Sequence, residues 1–143
     1  MSRLVSFNVN GIRSRTHQLE ALKARHAPDL IGIQESKVAD DAFPADAIST
    51  LGWQAAYHGQ KGHYGVALLS TQAPARVIKG FPNDGEEAQR RAITGFYRLD
   101  DGTELAVING YFPQGESRAH PIKFPGKQQF YAALADYLSE HFT

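Results

Sequence analysis

LVSFNVNGIRSRTHQLEALKARHAPDLIGIQ, residues 4–34, decides the fold class. Residues 4–9 are mostly apolar and β-branched or aromatic, which predicts a buried strand, and Asn10-Gly11 closes the run with turn chemistry. Residues 16–26 put Leu19 and Leu22 on one face and Glu20, Lys23 and Arg25 elsewhere, an amphipathic helix ended by Pro28. Residues 29–34 (DLIGIQ) read as a second buried strand. Strand, helix, strand is the opening of an α/β layer.

Working outward, residues 41–52 predict a short helix, with Pro44 near its first turn and Gly52 just past its end. The texture then turns to strands at 53–58, 66–70, 75–79, 91–99 and 104–111, and Asp100-Asp101-Gly102 is a hairpin signal between the last two. These strands predict a mixed, largely antiparallel sheet. Residues 127–142 space Phe130, Leu134, Tyr137 or Leu138, and Phe142 as on a helix. The longest loop, 112–126, is rich in Pro, Gly and charge and is expected to be functional. With no repeat, low-complexity tract or linker, one domain or part of one accounts for the chain.

Composition narrows the classes. The 143 residues, 42% apolar and 10% aromatic, suffice for one hydrophobic core and exclude a disordered chain. The absence of cysteine removes disulfide scaffolds, thiolate zinc sites and thiol nucleophiles, and fits a reducing cytoplasm. The apolar run at the start is too short for a signal sequence or a membrane span, so a cytoplasmic location and no membrane partner are expected. Fifteen basic and fifteen acidic side chains cancel, so any nucleic-acid binding must come from local clusters.

Three polar positions stand where buried strands finish: Asn8 with Asn10, Glu35, and Asn109 with Tyr111. Strand-end side chains can converge on one crevice, and oxygen donors suit a hard cation such as magnesium, which needs only one or two protein carboxylates plus phosphate oxygens. Taken singly, each also fits a plainer role: a satisfied turn amide, a solvated acid, a half-core tyrosine. Basic residues cluster at Arg13 with Arg15, Lys61 beside His63, Arg90 with Arg91, and Lys123 with Lys127. These suit phosphate contacts, although Asp84, Glu86 and Glu87 equally offer Arg90 local ion pairing. None of the six histidines has zinc-motif spacing, and none is assigned a catalytic role.

Five stretches in collinear order carry a resemblance. They are Ser6-Phe7-Asn8-Val9-Asn10-Gly11-Ile12-Arg13, Ile33-Gln34-Glu35-Ser36-Lys37, residues 58–67 (HGQKGHYGVA), residues 86–91 (EEAQRR) and residues 109–117 (NGYFPQGES). Together they resemble the exonuclease III branch of the endonuclease/exonuclease/phosphatase superfamily. The resemblance implies half of a four-layered α/β sandwich, with residues 1–143 as the N-terminal portion of a single such domain and its C-terminal part absent. It implies Glu35 as the main carboxylate ligand of a catalytic Mg2+, for which Mn2+ can substitute, with Asn8 beside it. Tyr111 would be the active-site tyrosine that approaches the scissile phosphate. Asn10 falls where some relatives carry an aspartate, and Arg13, Arg90 and Gln114 match positions in or near DNA-contacting loops.

The activity implied is magnesium-dependent hydrolysis of double-stranded DNA in base-excision repair, as a 3′-to-5′ exodeoxyribonuclease and abasic-site endonuclease. In the family the base that activates water belongs to an Asp-x-Asn motif, and an Asp-His pair lies near the C-terminus. Neither is found in these residues, so the fragment alone is expected to be inactive. It is also expected either to self-associate through an inner sheet face left uncovered by the cut or to be poorly soluble. The alternatives are another enzyme of the superfamily, such as a phosphoinositide phosphatase, a sphingomyelinase or a DNase I-like nuclease, and a truncated, catalytically incomplete module.

Overall fold

Leu30–Gln34 is buried at every position, as a strand must be when both its faces are covered. In the computed structural model, which describes residues 3–82, 84, 85 and 88–142, it is strand β2 and lies inside a four-stranded sheet. The order is β1-β2-β4-β3, with β1 at Leu4–Asn8, β3 at Gln54–His58 and β4 at Val66–Ser70. β1 and β2 run parallel, joined through helix α1 (Thr16–His26), and the other pairings are antiparallel. A second, antiparallel sheet holds β5 (Arg76–Lys79), β6 (Ala92–Arg98) and β7 (Glu104–Gly110) in that order. The expected α/β fold with mixed, largely antiparallel pairing is therefore present, distributed over two sheets.

The period-two alternation of the strands builds two cores. On one face of the first sheet, Val5, Phe7, Ile31, Ile33, Ala67 and Leu69 meet Leu19 of α1 and Ile48 of helix α2 (Ala45–Thr50). On the other face Leu30, Val66 and Leu68 meet Ile93 and Tyr97 of the second sheet. Both sheets belong to these residues, and the face between them is filled where β2 and β4 meet β6, while β7 stays half-exposed along most of its length. Leu4, 57% exposed on the outermost strand β1, is the main apolar residue of that sheet left open.

Two element boundaries also differ. The helix expected over 41–52 is split into a 3-10 turn at Asp40–Ala42 and the shorter α2, because Pro44 cannot continue a helix and instead stands at the N-cap of α2. The last helix, α3 (Lys123–His141), begins one turn earlier than its apolar spacing. His120 Nδ1 accepts from the backbone N–H of Ile122 and Lys123 at 3.2 and 2.9 Å, satisfying groups that a helix start leaves orphaned.

The chain forms two compact units, Met1–Gly80 with Ala88–Tyr111, and Phe81–Glu87 with Phe112–Thr143. The first holds both sheets, α1 and α2. The second holds α3, whose buried Tyr137 packs with Phe81. No described helix is long and apolar enough to cross a membrane.

Candidate active site

The parallel register pairs Asn8 with Gln34, so β1 and β2 end side by side and Glu35 follows immediately. The strand stops there because Glu35 takes a left-handed backbone, φ 56°, which leaves the extended region. The freed backbone groups are zipped into neighbouring loops: Gly11 N–H donates to Glu35 O at 2.8 Å and Ile12 N–H to Ser36 O at 3.0 Å. Ser36 and Lys37 N–H donate to the carbonyls of Gly65 and Tyr64. Glu35 is thus held by its own backbone on both sides, half-buried.

β7 delivers the second group. Tyr111 directly follows it, and its phenol donates to Glu35 Oε1. A carboxylate offers about four acceptor positions, so this bond orients the acid without exhausting it. Burial, then the hydrogen bond to Glu35 and its negative charge, push the Tyr111 phenol above its ordinary pKa, with Arg91 opposing. The phenol stays protonated at neutral pH and remains a donor.

Arg91 flanks this pair. Its guanidinium carbon lies 4.8 Å from the Tyr111 ring centre and 4.7 Å from that of Tyr64. Nη1 donates to the Tyr111 carbonyl at 3.1 Å, and Nε to Gln89 Oε1 at 2.6 Å. Burial lowers the guanidinium pKa, while Tyr64, Tyr111 and Glu35 raise it; an arginine keeps its charge in either case.

The other sequence candidates fall in different places. Asn8 is exposed at the end of β1, and its Oδ1 accepts from Asn10 N–H at 3.1 Å. Asn10 itself accepts from Lys37 Nζ at 2.5 Å. Arg13 is exposed between β1 and α1. Arg90 is drawn into the fold: its Nη1 is 3.0 Å from His58 Nδ1, its N–H donates to Gln60 Oε1, and its carbonyl accepts from Gly65. Gln114 is exposed in the second unit. Glu86 and Glu87, considered as ion-pair partners for Arg90, lie outside the described residues. Asn109, one of the strand-end oxygen candidates, is consumed by packing, its amide bonded to Gln34, Ile33 and Ala67.

Sequence reasoning placed Arg91 in a basic cluster with Arg90 and gave neither it nor Tyr64 a role beside Glu35 and Tyr111. The hairpin signal at 100–102 held the clue to the first, because the β6–β7 register pairs Ala92 with Gly110, so the next pair outward is Arg91 with Tyr111. No local signal distinguished Tyr64.

Among the described residues no three His, Cys, Asp or Glu side chains gather. A hard divalent cation does not need them: one carboxylate and one amide oxygen, completed by water and phosphate, make an adequate set. Glu35 and Asn8, on the ends of adjacent parallel strands, fit that requirement.

Residues 5–141 match the model of the Endonuclease/Exonuclease/phosphatase family. The chain belongs to this family. Within it, the chain is 55% identical to exodeoxyribonuclease III of Haemophilus influenzae over 138 residues, 96% of this chain and 51% of that protein. A solved 3′ phosphatase, NExo from Neisseria bound to product DNA hairpin, superposes with TM-score 0.84 at 35% identity, over 95% of this chain and 51% of the other. An AP endonuclease from Archaeoglobus fulgidus gives TM-score 0.84 at 31% identity, over 100% of this chain and 53% of the other. The chain spans about half the length of these family members.

Proposed function

We propose that these residues carry the metal-binding and phenol-bearing part of a magnesium-dependent DNA phosphodiesterase, acting at 3′ ends and abasic sites of duplex DNA in repair. The observation that carries this reading is the Tyr111 phenol donating to Glu35 where β2 and β7 end. The 55% identity to an exodeoxyribonuclease III and the likeness to a DNA-bound 3′ phosphatase favour DNA over a phosphoinositide. On this reading residues 1–143 are the N-terminal portion of a single domain.

Glu35, with Asn8 beside it, would hold Mg2+, or Mn2+ in its place. When bound, the cation neutralises charge on the phosphate and the leaving oxygen. Tyr111, kept protonated by its surroundings, presents an O–H to a phosphate oxygen as negative charge builds. Arg13 and Gln114, both exposed, would contact the DNA backbone. Arg90 would act there only by exchanging His58 for phosphate. Residues that activate water work as a unit with these, so the 143 residues alone should turn over DNA far more slowly than a complete family member.

The test is a chimaera in which residues 1–143 are continued by the second half of the Haemophilus influenzae relative. Glu35→Ala should cut magnesium-dependent cleavage of abasic duplex DNA about a hundredfold or more and abolish the calorimetric heat of Mg2+ binding, with circular dichroism unchanged. Near-normal cleavage by that variant at saturating Mg2+ would sink the assignment, and faster cleavage of phosphoinositide than of DNA would move the substrate class.

A further inference from the structure

Arg91 is the one charged group among those described at the site that touches Tyr111 in three ways. Its guanidinium lies over the ring, Nη1 holds the Tyr111 carbonyl at 3.1 Å, and its own carbonyl accepts the Tyr111 N–H at 2.7 Å. The same guanidinium lies over Tyr64, whose carbonyl accepts from Lys37 N–H in the loop that begins at Glu35. One side chain therefore grips both the residue that supplies the phenol and the segment that braces the acid. We propose that Arg91 is a positioning residue, setting the Tyr111 phenol against Glu35 through the two rings and the backbone pair it shares with Tyr111. This rests on the site reading above.

The physical need is clear. A tyrosine just past a strand end has two soft side-chain torsions, and displacing a donor by about 1 Å can cost a hundredfold in rate. A cation over a ring face, within about 6 Å of its centre, opposes tilting of that ring, and the planar guanidinium can stack while its edge N–H groups stay bonded. Lysine keeps the charge and the stem but loses the plane and the fork.

The experiment labels the tyrosine rings of the chain with 13C and assigns the Tyr64 and Tyr111 signals with Tyr64→Phe and Tyr111→Phe. In Arg91→Met both signals should move together and the Tyr111 ring should flip faster, while the core signals of Tyr97 and Tyr137 stay in place. Arg91→Lys should give intermediate shifts, and it becomes the deciding variant if Arg91→Met does not fold. Unmoved Tyr64 and Tyr111 signals in a folded variant overturn the proposal.

In the chimaera, Arg91→Lys should lower kcat about tenfold with little change in KM. That loss should shrink to less than about twofold in a Tyr111→Phe background, because Arg91 acts through the phenol. Undiminished loss in that background overturns the proposal. Failure of the site reading looks different: Tyr111→Phe would then leave kcat unchanged, and Mg2+ would shift the Tyr111 signal equally in the wild type and in Glu35→Ala, whatever the Arg91 variants do.

Discussion

Two polar pairs stand next to each other across the same two strands and have opposite fates. Gln34 Nε2 donates to Asn109 Oδ1 at 2.7 Å, and immediately beyond, Tyr111 donates to Glu35. The inner pair is closed. Asn109 Nδ2 is spent on the carbonyls of Ile33 and Ala67, both at 2.8 Å, and Gln34 also reaches Ser6 and Gly32. The outer pair is half-buried, with a carboxylate that one phenol cannot saturate. Burial with full hydrogen bonding turns polar residues into a rivet between sheets. The same kind of residue one step outward keeps spare acceptors for a substrate or an ion.

The contrast can be broken by experiment. The largest effect belongs to Asn109→Leu, which removes the buried hydrogen bonds to Gln34, Ile33 and Ala67 together and should cost about 3 kcal/mol in urea unfolding. A loss below about 1 kcal/mol would mean the inner pair is not a rivet. Next comes Gly32→Ala: a Cβ there would stand 3.0 Å from Asn109 Oδ1 and 3.1 Å from its Cγ. Pushing that amide away should cost about 1–2 kcal/mol, with the loss disappearing in an Asn109→Ala background, which removes the atoms the new Cβ would meet.

A smaller, pH-dependent effect comes from Tyr97, whose phenol burial pushes above its usual value. A raised folded-state pKa means the native state holds its proton longer. The stabilisation is complete below the unfolded value of about 10 and is lost as pH rises through the folded value. Unfolding free energy measured from pH 8 upward should decline in that alkaline range, and less steeply in Tyr97→Phe. Smallest is the stability cost of Tyr111→Phe, expected within about 0.5–1 kcal/mol. A cost matching that of Asn109→Leu would assign the outer pair to the fold rather than to chemistry.

The frame of the molecule was legible because its signals are local. Apolar runs gave β2 and β4 to within a residue, and Pro28 marked the end of α1. Pro44 is a local signal too, and it divides the 41–52 stretch by standing at the N-cap of α2. The site was legible in part: Glu35 and Tyr111 meet as a pair, whereas Asn109 looked the same in sequence as a ligand would. Its role depends on which strand of the other sheet lies across from it, and no spacing within one strand encodes that. The arginine doublet failed for a related reason. Arg90 and Arg91 lie in the loop that leads into β6, where no period fixes the direction of a side chain, so they differ completely in partners while looking interchangeable in sequence.

The left-handed backbone of Glu35 has a consequence for laboratory evolution. A side chain with a Cβ held at that φ costs roughly 1 kcal/mol or more relative to a residue at ease there. Glycine would relieve it fully and asparagine in part. A library sorted only for heat tolerance should therefore drift toward Gly or Asn at position 35, and its most robust survivors would be those that had discarded the acid.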